Sequence, residues 1–353
     1  MRTAGATIAA ATVVLLAGCG APSRDDEAPV RPAQTATTPR ASTDTATTAS
    51  EPPRATPEFY APNSPWNTAV PDDASLDPRS AAYVENLRDQ VASRGATVMI
   101  KEYSVPIYRV GPDQPRKRVE ITKPAPALQK AWEDVPLPDD PQAARGTDGA
   151  LVVYQPSSDT LWEFWRFREE DGVYRADWGG KMRDVSSNPG YYRQRSSPEV
   201  EKPFWGFNAT KIGGAAGIMT LEELRRGRID HALYLAIPDA RRGVCAEPAH
   251  GTDGVTDAPD AIPEGARFRL DPTLDVEALD VPPMTKIMAR AAQRYGVVVV
   301  NRAGAVGFAA EDPTQYGGGD PYRDIKGDAS PMEIATAFPW QHLQALRLRL
   351  RGC

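Results

Sequence analysis

Between Gly149 and Trp178 the chain carries three β-branched and aromatic runs: Leu151-Val152-Val153-Tyr154, Leu161 to Phe167, and Val173 to Trp178. They are separated by the turn-like stretches Pro156-Ser157-Ser158-Asp159 and Glu169-Glu170-Asp171-Gly172. This pattern predicts a meander of antiparallel strands. A two-residue period puts Leu161, Glu163, Trp165 and Phe167 on one face of the middle run and Trp162, Phe164 and Arg166 on the other. Both faces are heavily aromatic, so one face either packs under a loop or lines a groove. The 34 prolines point the same way, because each removes a backbone donor and ends an element, which an all-helical chain of 353 residues could not absorb.

A second strong pattern is Gly227-Arg228-Ile229-Asp230-His231-Ala232-Leu233-Tyr234-Leu235-Ala236-Ile237-Pro238, whose alternation sets Ile229, His231, Leu233, Leu235 and Ile237 on one strand face. Upstream, Tyr83, Leu87 and Val91 recur every four residues and Gly95 follows, predicting a helix over Arg79 to Arg94. Thr220 with Glu223 reads as a capping box for a short helix ending before Gly227. Later come a strand from Ala266 to Leu270, a helix from about Met284 to Tyr295, an apolar strand Val297 to Val300 and a hairpin partner at Ala305 to Ala309. Gly180 to Lys211 reads as irregular and polar. The expected class is mainly β: a single jelly-roll-like or related β-sandwich domain over 58–353, with a few peripheral helices.

The N-terminus reads as a processing segment. Arg2 supplies a positive charge, Ala6 to Leu16 an apolar run too short for a comfortable span, and Leu16-Ala17-Gly18-Cys19 closes it. This closure resembles the lipobox of bacterial lipoproteins. The resemblance implies a signal peptide over 1–18, diacylation of Cys19, and an exported chain anchored in the lipid bilayer at the outer face of the cell membrane. Residues 19–57, rich in Ala, Thr, Pro and Ser, read as a disordered tether. With Cys19 committed to lipid, Cys245 and Cys353 remain as an even pair in an oxidising compartment, forming either a disulfide or two free buried thiols.

Several residues could carry chemistry. Glu163 and Asp177 beside Trp165 and Trp178 are what a carbohydrate groove needs: rings stack on sugar faces while two acids divide acid, base or nucleophile roles. The alternative is an aromatic core with a salt bridge to Arg166 or Arg175. His231 is either a core histidine with one partner or a general acid/base at an open strand end. Gly146-Thr147-Asp148-Gly149 recurs as Gly251-Thr252-Asp253-Gly254, next to His250. These are either structural turns or loops that offer Asp148 and Asp253 to substrate hydroxyls, or less readily to Ca²⁺. If a site exists, Arg228 to His231 and His250 to Asp253 are expected to border it. No metal site with EF-hand or zincin spacing, serine-hydrolase elbow or phosphate loop is present.

Ser64-Pro65-Trp66-Asn67, Gly227 to Leu233, Pro248 to Gly254 and Arg294-Tyr295-Gly296-Val297-Val298-Val299 resemble segments of a family of exported proteins of high-GC bacteria. That resemblance supports one domain and transfers no catalytic residue. The expected function is a surface lipoprotein acting on or binding polysaccharide, as a glycoside hydrolase or polysaccharide lyase with no cofactor. A non-catalytic envelope lipoprotein binding glycan or a protein partner is the alternative. A net charge of -6 gives no reason to expect nucleic acid.

Overall fold

A computed structural model describes residues 58–192, 206–317 and 319–353, all within one compact unit, Pro53–Cys353. The signal peptide, Cys19 and the tether lie outside the described residues. The fold is mainly β, with 18 strands in several sheets and 6 α-helices among the described residues.

The largest sheet runs, edge to edge, Ala96–Met99, Val306–Ala309, Leu233–Ile237, Val297–Arg302, Arg267–Leu270 and Leu343–Ala345. Its central pair is parallel, Leu233 opposite Val297, and Val306–Ala309 is antiparallel to Leu233–Ile237. The pleat then divides the side chains. Leu233, Leu235, Ile237, Val297 and Val299 join a core with helices Ser80–Arg94 and Pro283–Arg294, while Tyr234, Ala236, Val298 and Val300 join a second core with the other main sheet. Burial on both faces explains why Val297 to Val300 is apolar without alternation. The sequence placed Ala305 to Ala309 as hairpin partner of this strand, but Leu233–Ile237 lies between them.

The second sheet has the order Trp178–Arg183, Thr160–Trp165, Leu151–Gln155 and Ile107–Arg109. The first two runs of the expected meander pair antiparallel in the register Val153 opposite Trp162. The third does not join them: Val173–Ala176 pairs with Val119–Ile121 and Arg168–Glu170 instead, and Trp178–Arg183 takes its place. The sequence reads Gly180 to Lys211 as irregular and polar, and glycines ordinarily weaken strands. Here they are required, since a Cβ at Gly179 would strike the Glu163 carbonyl and one at Gly180 the Tyr192 hydroxyl.

Helix Ser80–Arg94 ends at Gly95 as expected, with the Gly95 N–H donating to the Val91 carbonyl. The capping box of helix Leu221–Arg226 forms, with Thr220 accepting from the Glu223 N–H. The strand after it begins at Leu233 rather than Ile229. The residues before it make local contacts instead of ladder pairs: Arg228 binds Asp230 at 2.7 Å, and the Ala232 N–H donates to the Trp66 carbonyl at 2.7 Å. Trp66 is buried, and Asn67 Nδ2 donates to the Phe59 and Ala61 carbonyls, pinning the first described segment to the fold.

Cys245 and Cys353 form a disulfide with Cα atoms 5.8 Å apart, joining strand Ala240–Ala246 to Leu350–Gly352 and its neighbour. The two cysteines are 108 residues apart in the chain. In the chain-entropy picture, opening a loop of that size costs about 4–5 kcal/mol. The double variant Cys245→Ser/Cys353→Ser should lose that much in urea unfolding; a loss under about 1 kcal/mol would show the bridge to be incidental.

Candidate functional site

A cavity of about 1120 Å³ is walled by residues of both main sheets. Tyr234 and Ala236 come from the central strand, Thr97 and Met99 from the edge strand Ala96–Met99, and Trp165 and Trp178 from adjacent strands of the second sheet. Trp165 and Trp178 face each other in register, so two indoles stand side by side at one end of that sheet. Both are half-buried. The Trp165 ring is held from several sides: Lys123 Nζ lies 4.9 Å and Arg166 Cζ 4.6 Å from it, and its Nε1 donates to Asp148 Oδ1 at 3.2 Å.

Both Gly-Thr-Asp-Gly turns deliver their aspartates to this cavity. In the first, Gly146 and Gly149 adopt positive φ (99° and 44°), and the Asp148 and Gly149 carbonyls accept from the Arg166 and Phe167 N–H groups. The turn is thereby fastened to the end of the Trp165 strand. In the second, neither glycine needs a positive φ; a Cβ at Gly251 would strike the Ala209 carbonyl and one at Gly254 the Arg241 carbonyl. The same tetrapeptide is thus used once for backbone angle and once for close approach.

Behind Asp253 lies Glu264, fully buried on strand Ile262–Glu264. Its Oε2 accepts the Asp253 N–H at 3.0 Å, and its side chain contacts that of Asp253. Burial first, and then the neighbouring Asp253 charge, push the Glu264 carboxyl up to about 8 against an opposing hydrogen bond from Thr252. Tyr234 is buried within electrostatic reach of Asp148, Glu264 and Asp253 and contacts the Asn301 side chain; burial raises its hydroxyl far above the usual range, so it stays protonated. Lys211, on the cavity wall with a left-handed backbone (φ 63°), has its ammonium pKa lowered by desolvation.

Comparison with family models, curated proteins and solved structures gives no match. The chemistry therefore rests on the cavity itself: the two indoles, Asp148 and Asp253 on a lining that also carries Glu102 and Asp320, Tyr234, Lys211 with other lysines, and the buried Glu264 behind Asp253. Among the described residues, no group of three or more His, Cys, Asp or Glu side chains is close enough to hold a metal ion.

Of the residues singled out in the sequence, Trp165, Trp178, Asp148 and Asp253 meet in the cavity, and the others do not line it. Glu163 is fully buried, accepting N–H bonds from Phe207 at 3.0 Å and from Gly214, so it fastens the segment that carries Phe207 and Asn208 to the cavity wall. Burial pushes its carboxyl up to about 7 against those two bonds. Asp177 accepts from Thr122 Oγ1 at 2.7 Å and pairs with Arg168 and Arg166, which places it behind the Arg166 that covers Trp165. Burial opposes its ionisation, but these partners together hold its carboxyl below the usual range.

His231 borders a separate, smaller cavity of about 260 Å³, with Nε2 3.2 Å from Glu223 and Nδ1 2.9 Å from the Ala232 carbonyl. Desolvation opposes its charging, yet Glu223 prevails and raises its pKa. Arg228 is paired with Asp230. His250 packs on Tyr191 and meets Arg351 Nη1 at 3.2 Å, so it braces the second turn from outside the cavity. Arg228 to His231 therefore do not line this cavity, whereas Asp148 and Asp253 do, with Asn301 beside them. Glu264, Tyr234, Asn301 and Lys211 were missed. Only Tyr234 had a visible signal, because alternation places it opposite the Leu233 and Leu235 face.

Proposed function

We propose that this protein is an exported, lipid-anchored, carbohydrate-active protein that holds a polysaccharide segment in the Trp165/Trp178 cavity and hydrolyses a glycosidic bond there. One observation carries the reading. Two identical Gly-Thr-Asp-Gly tetrapeptides about a hundred residues apart in the chain present Asp148 and Asp253 to a single cavity with two indoles. Aromatic faces offer stacking to the apolar faces of sugar rings, and carboxylates divide proton donation and water activation between them. The cavity exceeds the roughly 300–1,000 Å³ typical of drug-sized ligands, which suits a polymer segment. The Cys245–Cys353 bridge is in keeping with an oxidising compartment, and Leu16-Ala17-Gly18-Cys19 with a lipid anchor.

In this reading Asp253 protonates the leaving oxygen, and Asp148 activates or replaces the attacking water. Tyr234 and Asn301 hydrogen-bond sugar hydroxyls. Binding without turnover is the second reading, favoured by the bond from Trp165 Nε1 that occupies one Asp148 oxygen. The detergent-solubilised full chain, incubated with a panel of neutral and acidic polysaccharides, is expected to release new reducing ends. Unsaturated uronate absorbance in their place would move the activity to lyase chemistry. Retention of glycan with neither product would reduce the protein to a binder.

A further inference from the structure

We propose that Glu264 is the positioning residue behind Asp253, the two carboxyl groups sharing one proton that Glu264 keeps out of water and returns to Asp253 when Asp253 protonates a leaving oxygen. This rests on the cavity being the glycan-cleaving site. The geometry is specific. Glu264 is 0% exposed, one oxygen takes the Asp253 N–H at 3.0 Å, and the other, Oε1, has no hydrogen-bond donor. The Asp253 amide bond holds the two residues together, and the Asp253 charge opposes ionisation of the buried Glu264. Neighbouring acids of this kind ionise one at a time, so the pair holds one proton between them.

The backbone leaves Glu264 little room to move away. Gly265 has φ 89° and its N–H donates to the Val299 carbonyl at 2.7 Å, while a Cβ there would strike the Ala246 carbonyl. Cys245, whose sulfur is tied to Cys353, stands opposite Glu264 in the strand register. The charged and titratable groups facing the pair are Tyr234 on the central strand, Asp148 across the cavity from it, and Lys211, whose Cε lies beside Gly251.

Proton flow balances. The one shared proton passes from Glu264 to Asp253 and on to the glycosidic oxygen as that C–O bond breaks and the water oxygen bonds to the sugar carbon. Asp148 takes a proton from that water and releases it to solvent, and solvent returns one proton to the pair at the end of the cycle.

The test pairs kinetics with infrared difference spectroscopy on the full chain. Glu264 should give a protonated carboxyl band at about pH 6 that disappears as pH rises through about 8. Glu264→Gln should remove that band, lower kcat on the glycan by roughly 10²-fold, and move the alkaline limb of the rate profile to lower pH. If Glu264→Gln does not fold, Asp253→Asn serves instead, since loss of the neighbouring charge should lower the pH at which the Glu264 band titrates. Absence of a band titrating near pH 8, or an unchanged rate profile in an active Glu264→Gln protein, would overturn the shared proton. The band present with no glycan cleaved would retain the pair and sink the cleavage reading on its own.

Discussion

In the proposed glycan cleavage, Asp253→Asn and Asp148→Asn are each expected to lower kcat by roughly 10²–10⁴-fold, because each removes one of the two proposed proton-transfer partners. Both changes are isosteric. The amide introduced by Asp148→Asn keeps an oxygen for the Trp165 Nε1–H that Asp148 accepts at 3.2 Å, and the Asp253 N–H bond to Glu264 is made by backbone. The losses should therefore fall in kcat, with glycan retention and melting temperature little changed. His231→Ala and Asp177→Asn supply the contrast. His231 borders the smaller cavity with Glu223, and Asp177 is engaged by Thr122, Arg166 and Arg168, so both should leave kcat within a few-fold of the parent. Turnover that survives the Asp148/Asp253 double change and is lost with His231→Ala would relocate the chemistry to the smaller cavity.

The second large effect is on stability against pH. Glu163 and Glu264 are buried, with carboxyls raised to about 7 and about 8 from an ordinary 4.5. In the unfolded chain both ionise near 4.5, so between about pH 5 and 7 the folded state holds up to two more protons than the unfolded state. Stability then falls as pH rises, by about 1.4 kcal/mol per unit for each carboxyl, and the slope ends above about pH 8 when both states are ionised. His231, also raised by Glu223, adds a loss of the same sign as pH climbs through its folded pKa. The opposite sign belongs to Asp177, Glu223 and Asp271, whose lowered carboxyls stabilise the fold above the ordinary carboxylate range and lose that contribution as pH drops.

The stability maximum is accordingly expected near about pH 5. Calorimetric melting at steps of about one unit from about pH 5 to 8 should show a falling midpoint, and Glu264→Gln should cut the slope between about pH 5 and 7 by about half. A midpoint that is flat or rises toward about pH 8 would mean that the two carboxyls are ionised in the native state.

How much of this was legible depended on range. Local patterns predicted helix Ser80–Arg94, the Thr220/Glu223 capping box and the strand around Leu235, because capping and periodicity act over a few residues. Pairing was less visible. The third meander run and the hairpin at Ala305 to Ala309 were assigned to chain neighbours, whereas the ladders put Trp178–Arg183 and Leu233–Ile237 there. The glycines at 179 and 180 look like strand breakers until the Glu163 carbonyl and the Tyr192 hydroxyl stand beside them.

By itself the sequence determined a mainly β chain and the aromatic character of the Trp165 strand, singled out the two Gly-Thr-Asp-Gly segments, and left Cys245 and Cys353 as either a bridge or two thiols. Each of these follows from residue type or short spacing. Only the tertiary structure decided that Asp148 and Asp253 share one cavity, that Glu163, His231 and Asp177 stay out of it, and that Glu264 stands behind Asp253. The reason is physical: a carboxyl's role is set by its burial and by the groups it meets across sheets, and alternation along one strand records neither.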